Sequence, residues 1–189
     1  GAHGAEADDV IGTLAPAWDG PVDVCTGDRD LFQLVDDEQP VRVLYTARGV
    51  NNHDVVDGDW IRTKYAIGPE QYVDFATMRG DTSDGIPGVA GIGEKTAATL
   101  LTEFGDLDGI LAAAEDPSSS IKPRVRQNLL DSRELIERMR TVVRVRDDAV
   151  PTEVLLREPL TDDQKAAVTA FGEQWSLGGV AERLVTALG

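Results

Sequence analysis

Strand signals in this chain stop at Val56. Val22-Asp23-Val24-Cys25-Thr26 is a β-branched run with glycine close by on both sides, and Val41–Tyr45 is a second such run. Gly49–Val56 reads as an irregular hairpin partner. A helical pattern over Ala5–Ala17, with Val10, Ile11 and Leu14 on one face, precedes the first strand and is ended by Pro16 and Gly20-Pro21. Asp30–Val35 reads as a helical turn between the strands. Helix, strand, helix, strand in that order predicts an α/β layer with a parallel sheet. The remainder reads as helix: Asp59–Tyr65, Pro69–Arg79, Glu94–Phe104, Leu107–Ala114, Lys122–Asn128, Asp131–Arg144, Thr161–Phe171 and Gly179–Leu188, with a loop at Pro117–Ser120. A length of 189 residues suits one domain with a small appendage. The predicted divisions are 1–87, 88–150 and 151–189.

Charge is the next constraint. With 34 Asp+Glu against 18 Lys+Arg, the net charge is −16, which as a whole-chain figure disfavours a polyanionic partner. The surplus is uneven, however. Residues 1–87 carry 17 acids and 6 bases, whereas residues 88–150 carry 11 and 9. Three short motifs pair carboxylates: Glu6-Ala7-Asp8-Asp9, Asp28-Arg29-Asp30 directly after the first strand, and Asp81-Thr82-Ser83-Asp84 in a Gly-rich turn. Taken singly, these are a helix's first turn, a cap and a turn. Taken together, seven carboxylates at one place would repel unless cations neutralise them. The strand C-terminus that carries Asp28 and Asp30 is where ligands bind in open α/β sheets. Oxygen donors with few His or Cys favour Mg²⁺ or Mn²⁺ over Zn²⁺. His3 and His53 have no partner for a zinc site. Cys25 reads as core, and so do Trp60, Tyr65, Tyr72 and Phe75.

A second feature points to phosphate. Gly88-Val89-Ala90-Gly91-Ile92-Gly93-Glu94-Lys95-Thr96-Ala97 opens a helix, whose free N–H groups and positive dipole end suit a DNA backbone phosphate, with Lys95 as an added charge. Such a hairpin grips backbone without reading bases. Glu94 stands where a Walker A loop needs Lys, and no strand precedes the glycines as a dinucleotide fingerprint requires. Lys122, Arg124 and Arg126 are further candidates for phosphate contacts, in a basic stretch reaching Arg146. A plain helical bend and a solvated basic face are the alternatives.

In order along the chain, the runs Gly4–Asp9, Thr26-Gly27-Asp28-Arg29-Asp30-Leu31-Phe32-Gln33-Leu34, Gly80-Asp81-Thr82-Ser83-Asp84-Gly85-Ile86-Pro87-Gly88 and Gly91-Ile92-Gly93-Glu94-Lys95-Thr96-Ala97 closely resemble the bacterial 5′-nuclease family. That family comprises the 5′–3′ exonuclease domain of DNA polymerase I and its stand-alone relatives, related to flap endonucleases. The resemblance implies a PIN-like parallel-sheet nuclease core with a helix–three-turn–helix DNA-binding module and C-terminal helices. It implies that Glu6, Asp8, Asp9, Asp28, Asp30, Asp81 and Asp84 form the metal site for two or more Mg²⁺ or Mn²⁺ ions. Asp8, Asp9 and Asp28 would be the catalytic, direct ligands. Gly91, Gly93, Lys95 and Thr96 would bind DNA, with a K⁺ at the glycine hairpin. The implied partner is flap, nicked or 5′-ended duplex DNA, and the implied setting is a monomer at the nucleoid in the bacterial cytoplasm.

Two departures stand out. Gly85 replaces the family's usual Asn. The family's N-terminal region, with its first strand, two further acids and a basic arch, has no counterpart, so the native protein is expected to extend upstream. With no polymerase-like region following, the stand-alone form is the expected one. The competing readings are a catalytically silent DNA-junction binder and a small-molecule phosphatase using Asp28 and Asp30. Phe32 breaks the latter's pattern. No run of roughly 18 apolar residues suggests a membrane span, and one cysteine rules out an internal disulfide framework.

Overall fold

A computed structural model describes residues 3–152 and 159–188. The chain divides into two units, residues 1–152 and 153–189. The first contains α1 (Ala7–Leu14), β1 (Val22–Thr26), β2 (Val41–Tyr45), β3 (Asp54–Val56), α2 (Gly58–Tyr65), α3 (Tyr72–Arg79), α4 (Glu94–Phe104), α5 (Leu107–Glu115), α6 (Pro123–Asp131) and α7 (Arg133–Val143). Short 3₁₀ segments span Asp30–Leu34, Val50–Asn52 and Pro69–Gln71. The predicted elements are present, with small shifts at their ends. The tail division at 151–189 includes 153–158, which lie outside the described residues.

The sheet has the order β1-β2-β3, with β1 parallel to β2 and β2 antiparallel to β3. Its register aligns Val24, Val43 and Val56, all buried, on one face. On the other face Asp23 lies opposite Arg42, and Cys25 opposite Leu44 and then Val55. Cys25 is exposed, which corrects the expectation that it is core. The reason is the strand's period of two: Cys25 shares a face with Asp23, not with Val24.

The buried face is covered by an aromatic cluster centred on Phe32, in the 3₁₀ segment that follows β1. Its ring lies 5.0 Å from Tyr45, 5.5 Å from Trp60 and 5.6 Å from Tyr72, all edge-on. Tyr65 and Phe75 continue the cluster, so the four aromatics assigned to the core from sequence are there. The geometry suits ring quadrupoles and seats the segment that carries Asp30.

α3 joins the sheet layer to the helices beyond it. Tyr72, Phe75, Ala76 and Met78 are buried in a core shared with Leu100, Leu101, Leu107 and Ile110. Residues 1–87 and 88–150 therefore pack on one apolar core. Asp74, on α3, is buried as well. It accepts the Leu107 N–H at 2.9 Å, and Arg140 Nε of α7 lies 2.9 Å from its other oxygen. Burying a carboxylate requires such partners, and this trio ties α3, α5 and α7 together.

The second unit contains α8 (Asp162–Gln174) and α9 (Gly179–Leu188). Thr161 caps α8 by accepting the Gln164 N–H, as its sequence predicts. Gly172 lies against Ala181 so closely that a Cβ there would be 2.4 Å from the Ala181 Cβ. Trp175, Leu177, Leu184 and Leu188 read as packing residues in sequence, yet Trp175 is 61% exposed and the three leucines are exposed too. Two helices meeting at small residues enclose little apolar surface.

Phe32→Ala should destabilise the chain by about 3–5 kcal/mol. Cys25→Ser should stay within about 0.5 kcal/mol of the parent. Urea denaturation measures both, and an equal effect at the two positions would contradict the assigned faces.

Candidate metal centre

The three acidic motifs lie on three different elements. Asp8 and Asp9 are in the first turn of α1, where acids favour the helix dipole. Asp28 and Asp30 follow the C-terminal end of β1 in a tight turn. The Asp28 N–H donates to Thr26 Oγ1 (3.0 Å), and the Asp30 N–H donates to Asp28 Oδ1 (2.9 Å). Asp81 and Asp84 sit in a loop closed by paired backbone hydrogen bonds, Asp81 N–H to Ile86 O at 2.8 Å and Ile86 N–H to Asp81 O at 2.7 Å. That loop requires its flanking glycines. Gly80 (φ +76°) and Gly88 (φ +65°) cross so closely that a Cβ on Gly80 would lie 2.5 Å from the Gly88 nitrogen.

Packing brings these elements together. Oxygens of Asp30, Asp81 and Asp84 all lie within 4.8 Å of one another. Asp30 is pushed up to about 6, first by burial and then by the charges of Asp28, Asp84 and Asp81. Asp8 is also raised, first by burial and then by Asp28, Glu6 and Asp9. Asp28 therefore acts on both groups. Glu6, Asp9 and Asp28 act on Asp8, and Asp28, Asp81 and Asp84 act on Asp30, so all seven predicted acids share one acidic field. Unequal oxygens at such spacing fit a hard divalent cation.

Asp9, expected as a direct ligand, is also held by backbone donors. Its Oδ1 accepts the Arg146 N–H at 3.0 Å and its Oδ2 accepts the Glu6 N–H at 3.1 Å. Those backbone hydrogen bonds hold its carboxyl below the usual range. It acts as an anchor for the segment that follows α7.

That segment is a strap laid across the motif-bearing elements. Gln33 donates to the carbonyls of Asp30 (2.8 Å) and Val143 (2.9 Å) and accepts the Val145 N–H at 3.0 Å. Thr13 accepts the Ala149 N–H at 2.9 Å. Gly12 permits the approach, since a Cβ there would lie 2.6 Å from Val145 Cγ2 and 2.8 Å from the Arg146 carbonyl. Sequence reading missed Gln33, Thr13 and Gly12 as contributors. The signal available was Gln33 inside the second motif.

Two arginines were likewise missed. Arg29 pairs with Asp81, which is 6% exposed and also accepts from Ser83. Burial raises the Asp81 pKa, but the hydrogen bonds from Ser83 and Arg29 outweigh it and leave the group below its usual range. Arg79 lies beneath the same carboxylate.

The glycine hairpin follows α3. Val89 and Ile92 are buried anchors, and Gly91 (φ +76°) between them and Gly93 after them are exposed. Asn128 Nδ2 donates to the Ala90 carbonyl at 2.7 Å and braces the turn. Gly93 caps α4 without a side-chain acceptor, so the helix N-terminus faces outward, with Lys95 exposed and Thr96 half-buried. Lys122 and Arg124 are exposed, whereas Arg126 turns inward toward the carbonyls of Ser119 and Ile121. Much of the remaining basic stretch is internally paired: Arg133 with Glu115, Arg140 with Asp74 and Asp108, and Arg146 with Asp148. His3 and His53 are exposed. No described helix is long and apolar enough to cross a membrane.

Divalent cation should raise the thermal midpoint, because it binds the folded acidic field and not the unfolded chain. Millimolar Mn²⁺ is expected to raise Tm, EDTA to reverse the rise, and Asp30→Asn to remove most of it. Gly80→Ala should cost more than about 1 kcal/mol, because φ is positive and backbone blocks the Cβ.

Comparison with known proteins identifies the family and the fold. Residues 1–66 match the family model for the 5′-3′ exonuclease N-terminal resolvase-like domain, and residues 67–166 match that for the 5′-3′ exonuclease C-terminal SAM fold. These models meet before α3. A 5′-3′ exonuclease of Streptomyces coelicolor is 48% identical over 188 residues, covering 100% of this chain and 62% of the relative. One from Mycobacterium tuberculosis is 42% identical, covering 98% and 62%. The chain thus spans less than two thirds of the length of these relatives. Among solved structures, T5 5′-exonuclease with divalent metal ions (zinc) bound is 26% identical with a TM-score of 0.60, covering 74% of this chain and 50% of that one. A small parallel-containing sheet with acids at its strand ends, a glycine hairpin behind α3 and two adjoining family matches lead to one assignment: the chain belongs to the 5′-3′ exonuclease family.

Proposed function

We propose that this chain carries the acidic half of a divalent-metal-dependent, structure-specific 5′ nuclease, acting as a 5′–3′ exonuclease or 5′-flap endonuclease on DNA in replication and repair. The observation that carries this reading is the meeting of Asp30, Asp81 and Asp84 from motifs about fifty residues apart, beside Asp28 and Asp8. The presence of bound zinc in the related T5 exonuclease structure supports a cation here. Mg²⁺ or Mn²⁺ is the proposed choice, on the chemistry of an all-carboxylate donor set. A monomer working at the bacterial nucleoid belongs to the same reading.

The reaction is hydrolysis of a phosphodiester to 5′-phosphate and 3′-hydroxyl ends. When bound, two divalent cations supply activation of water and stabilisation of the leaving oxygen. Glu6, Asp8, Asp9, Asp28, Asp30, Asp81 and Asp84 would hold them. Asp9 and Gln33 also help hold the site together by fixing α1 and the Asp30 segment to the strap. Gly91, Gly93, Lys95 and Thr96 would grip a duplex phosphate at the open N-terminus of α4. Lys122 and Arg124 supply charge from α6, with Arg126 shaping the loop before it. A K⁺ at the hairpin would use backbone carbonyls beyond those of Val89 and Ala90, which already accept from Ile92 and Asn128.

In the intact native protein, Asp28→Asn should lower cleavage of a 5′-flap duplex in Mn²⁺ by at least about a hundredfold, on the scale of losing an electrostatic catalytic group. Retained duplex binding is expected. Binding without cleavage by the parent protein would instead favour a silent junction binder. Lys95→Ala should weaken duplex binding across sequences and reduce the salt slope by about 1. An unchanged slope in a fluorescence-anisotropy titration would remove Lys95 from the interface.

A further inference from the structure

The acidic field is electrostatically lopsided. No salt bridge joins Glu6, Asp8 or Asp28 to a basic side chain among the described residues. Asp81, in the other half, has two guanidinium neighbours. Arg29 pairs with it directly, and Arg79 Nη2 lies 3.9 Å from the same oxygen, Oδ2.

Arg79 is the unexplained member. Its side chain is only 7% exposed, and neither Nη1 nor Nη2 has a hydrogen-bond partner among the described residues. Its Nε donates to the neighbouring Gly80 carbonyl at 3.1 Å, and its guanidinium lies 5.3 Å from the Phe75 ring centroid. Asp81 is already satisfied by Arg29 and by Ser83. Arg79 also acts on the buried Tyr72 hydroxyl, but a buried charge whose ion partner stands at 3.9 Å is costly, and an apolar chain would pack on Phe75 without that cost. What Arg79 contributes is its field. Asp30 feels burial first, then the neighbouring acids, and Arg79 opposes them.

Resting on the metal reading above, we infer that Arg79 is a positioning residue. Together with Arg29, it is a built-in counter-charge that holds the Asp30–Asp81–Asp84 half to a weaker cation affinity than its three carboxylates alone would have. The cation in that half is therefore the more exchangeable one, and its affinity is set from beneath the site by groups that never touch it.

The test is Mn²⁺ binding to the chain at pH 8, followed by the electron paramagnetic resonance of the free ion, with circular dichroism to confirm folding. Removing a nearby positive charge should tighten binding. Arg79→Met is expected to lower the dissociation constant of the weaker site at least about threefold, Arg79→Lys to keep the parent value, and Arg29→Gln to tighten binding in the same direction. A folded Arg79→Met chain with unchanged or weaker Mn²⁺ binding would overturn the inference and leave Arg79 a packing residue. If Arg79→Met does not fold, unchanged or weaker binding by Arg29→Gln overturns it equally. A parent chain that binds no Mn²⁺ would overturn the cation reading itself, and this one with it.

Discussion

Repulsion between carboxylates is the constraint on which this structure turns. Asp30, Asp81 and Asp84 are held within 4.8 Å of one another, and Asp28 couples them to Asp8. Left alone, such a group would push its elements apart or take up protons. The burial that raises Asp30 shows the second tendency, and the arginines beside Asp81 answer the first. Cation binding is the natural completion of this electrostatic arrangement.

The acids are held in place by aromatic packing, glycine crossings and backbone hydrogen bonds. Phe32 roots the Asp30 segment in an aromatic cluster. Gly80 and Gly88 let two backbones cross and close the Asp81–Ile86 loop. Gln33, Thr13 and Asp9 fasten the strap after α7 to both α1 and the 3₁₀ segment. The strap continues from a helix tied to α3 and α5 through Asp74 and Arg140. The helical part of the first unit is thereby mechanically joined to the acidic field, and a duplex gripped at the α4 N-terminus would be registered against the acids by the same α3 framework.

Local patterns in the sequence were legible where residue spacing alone decides the outcome. The strands, the 3₁₀ turn after β1, the bounds of α4 and the Thr161 cap depend on neighbouring residues, and they appear where expected. The aromatic core was legible for the same reason. Cys25 was misplaced although its alternation with Asp23 was visible, because a β-branched run was read as wholly buried. The leucines and Trp175 of the second unit were misplaced because apolar spacing shows a helix face but not whether anything covers it.

By itself, the sequence determined the chemistry available: three paired-carboxylate motifs in fixed order, a glycine hairpin opening a helix, and an α/β start followed by helices. Only the tertiary structure decided how those groups are used. It brought Asp30 to Asp81 and Asp84, turned Asp9 toward backbone donors, drew Arg126, Arg133 and Arg140 into internal pairs, and placed Arg29 and Arg79 under the acids. The physical reason is range. Residue type and spacing govern hydrogen bonds within a turn or two, whereas a charge's partner, burial and resulting affinity depend on distances set by packing between segments far apart in the chain.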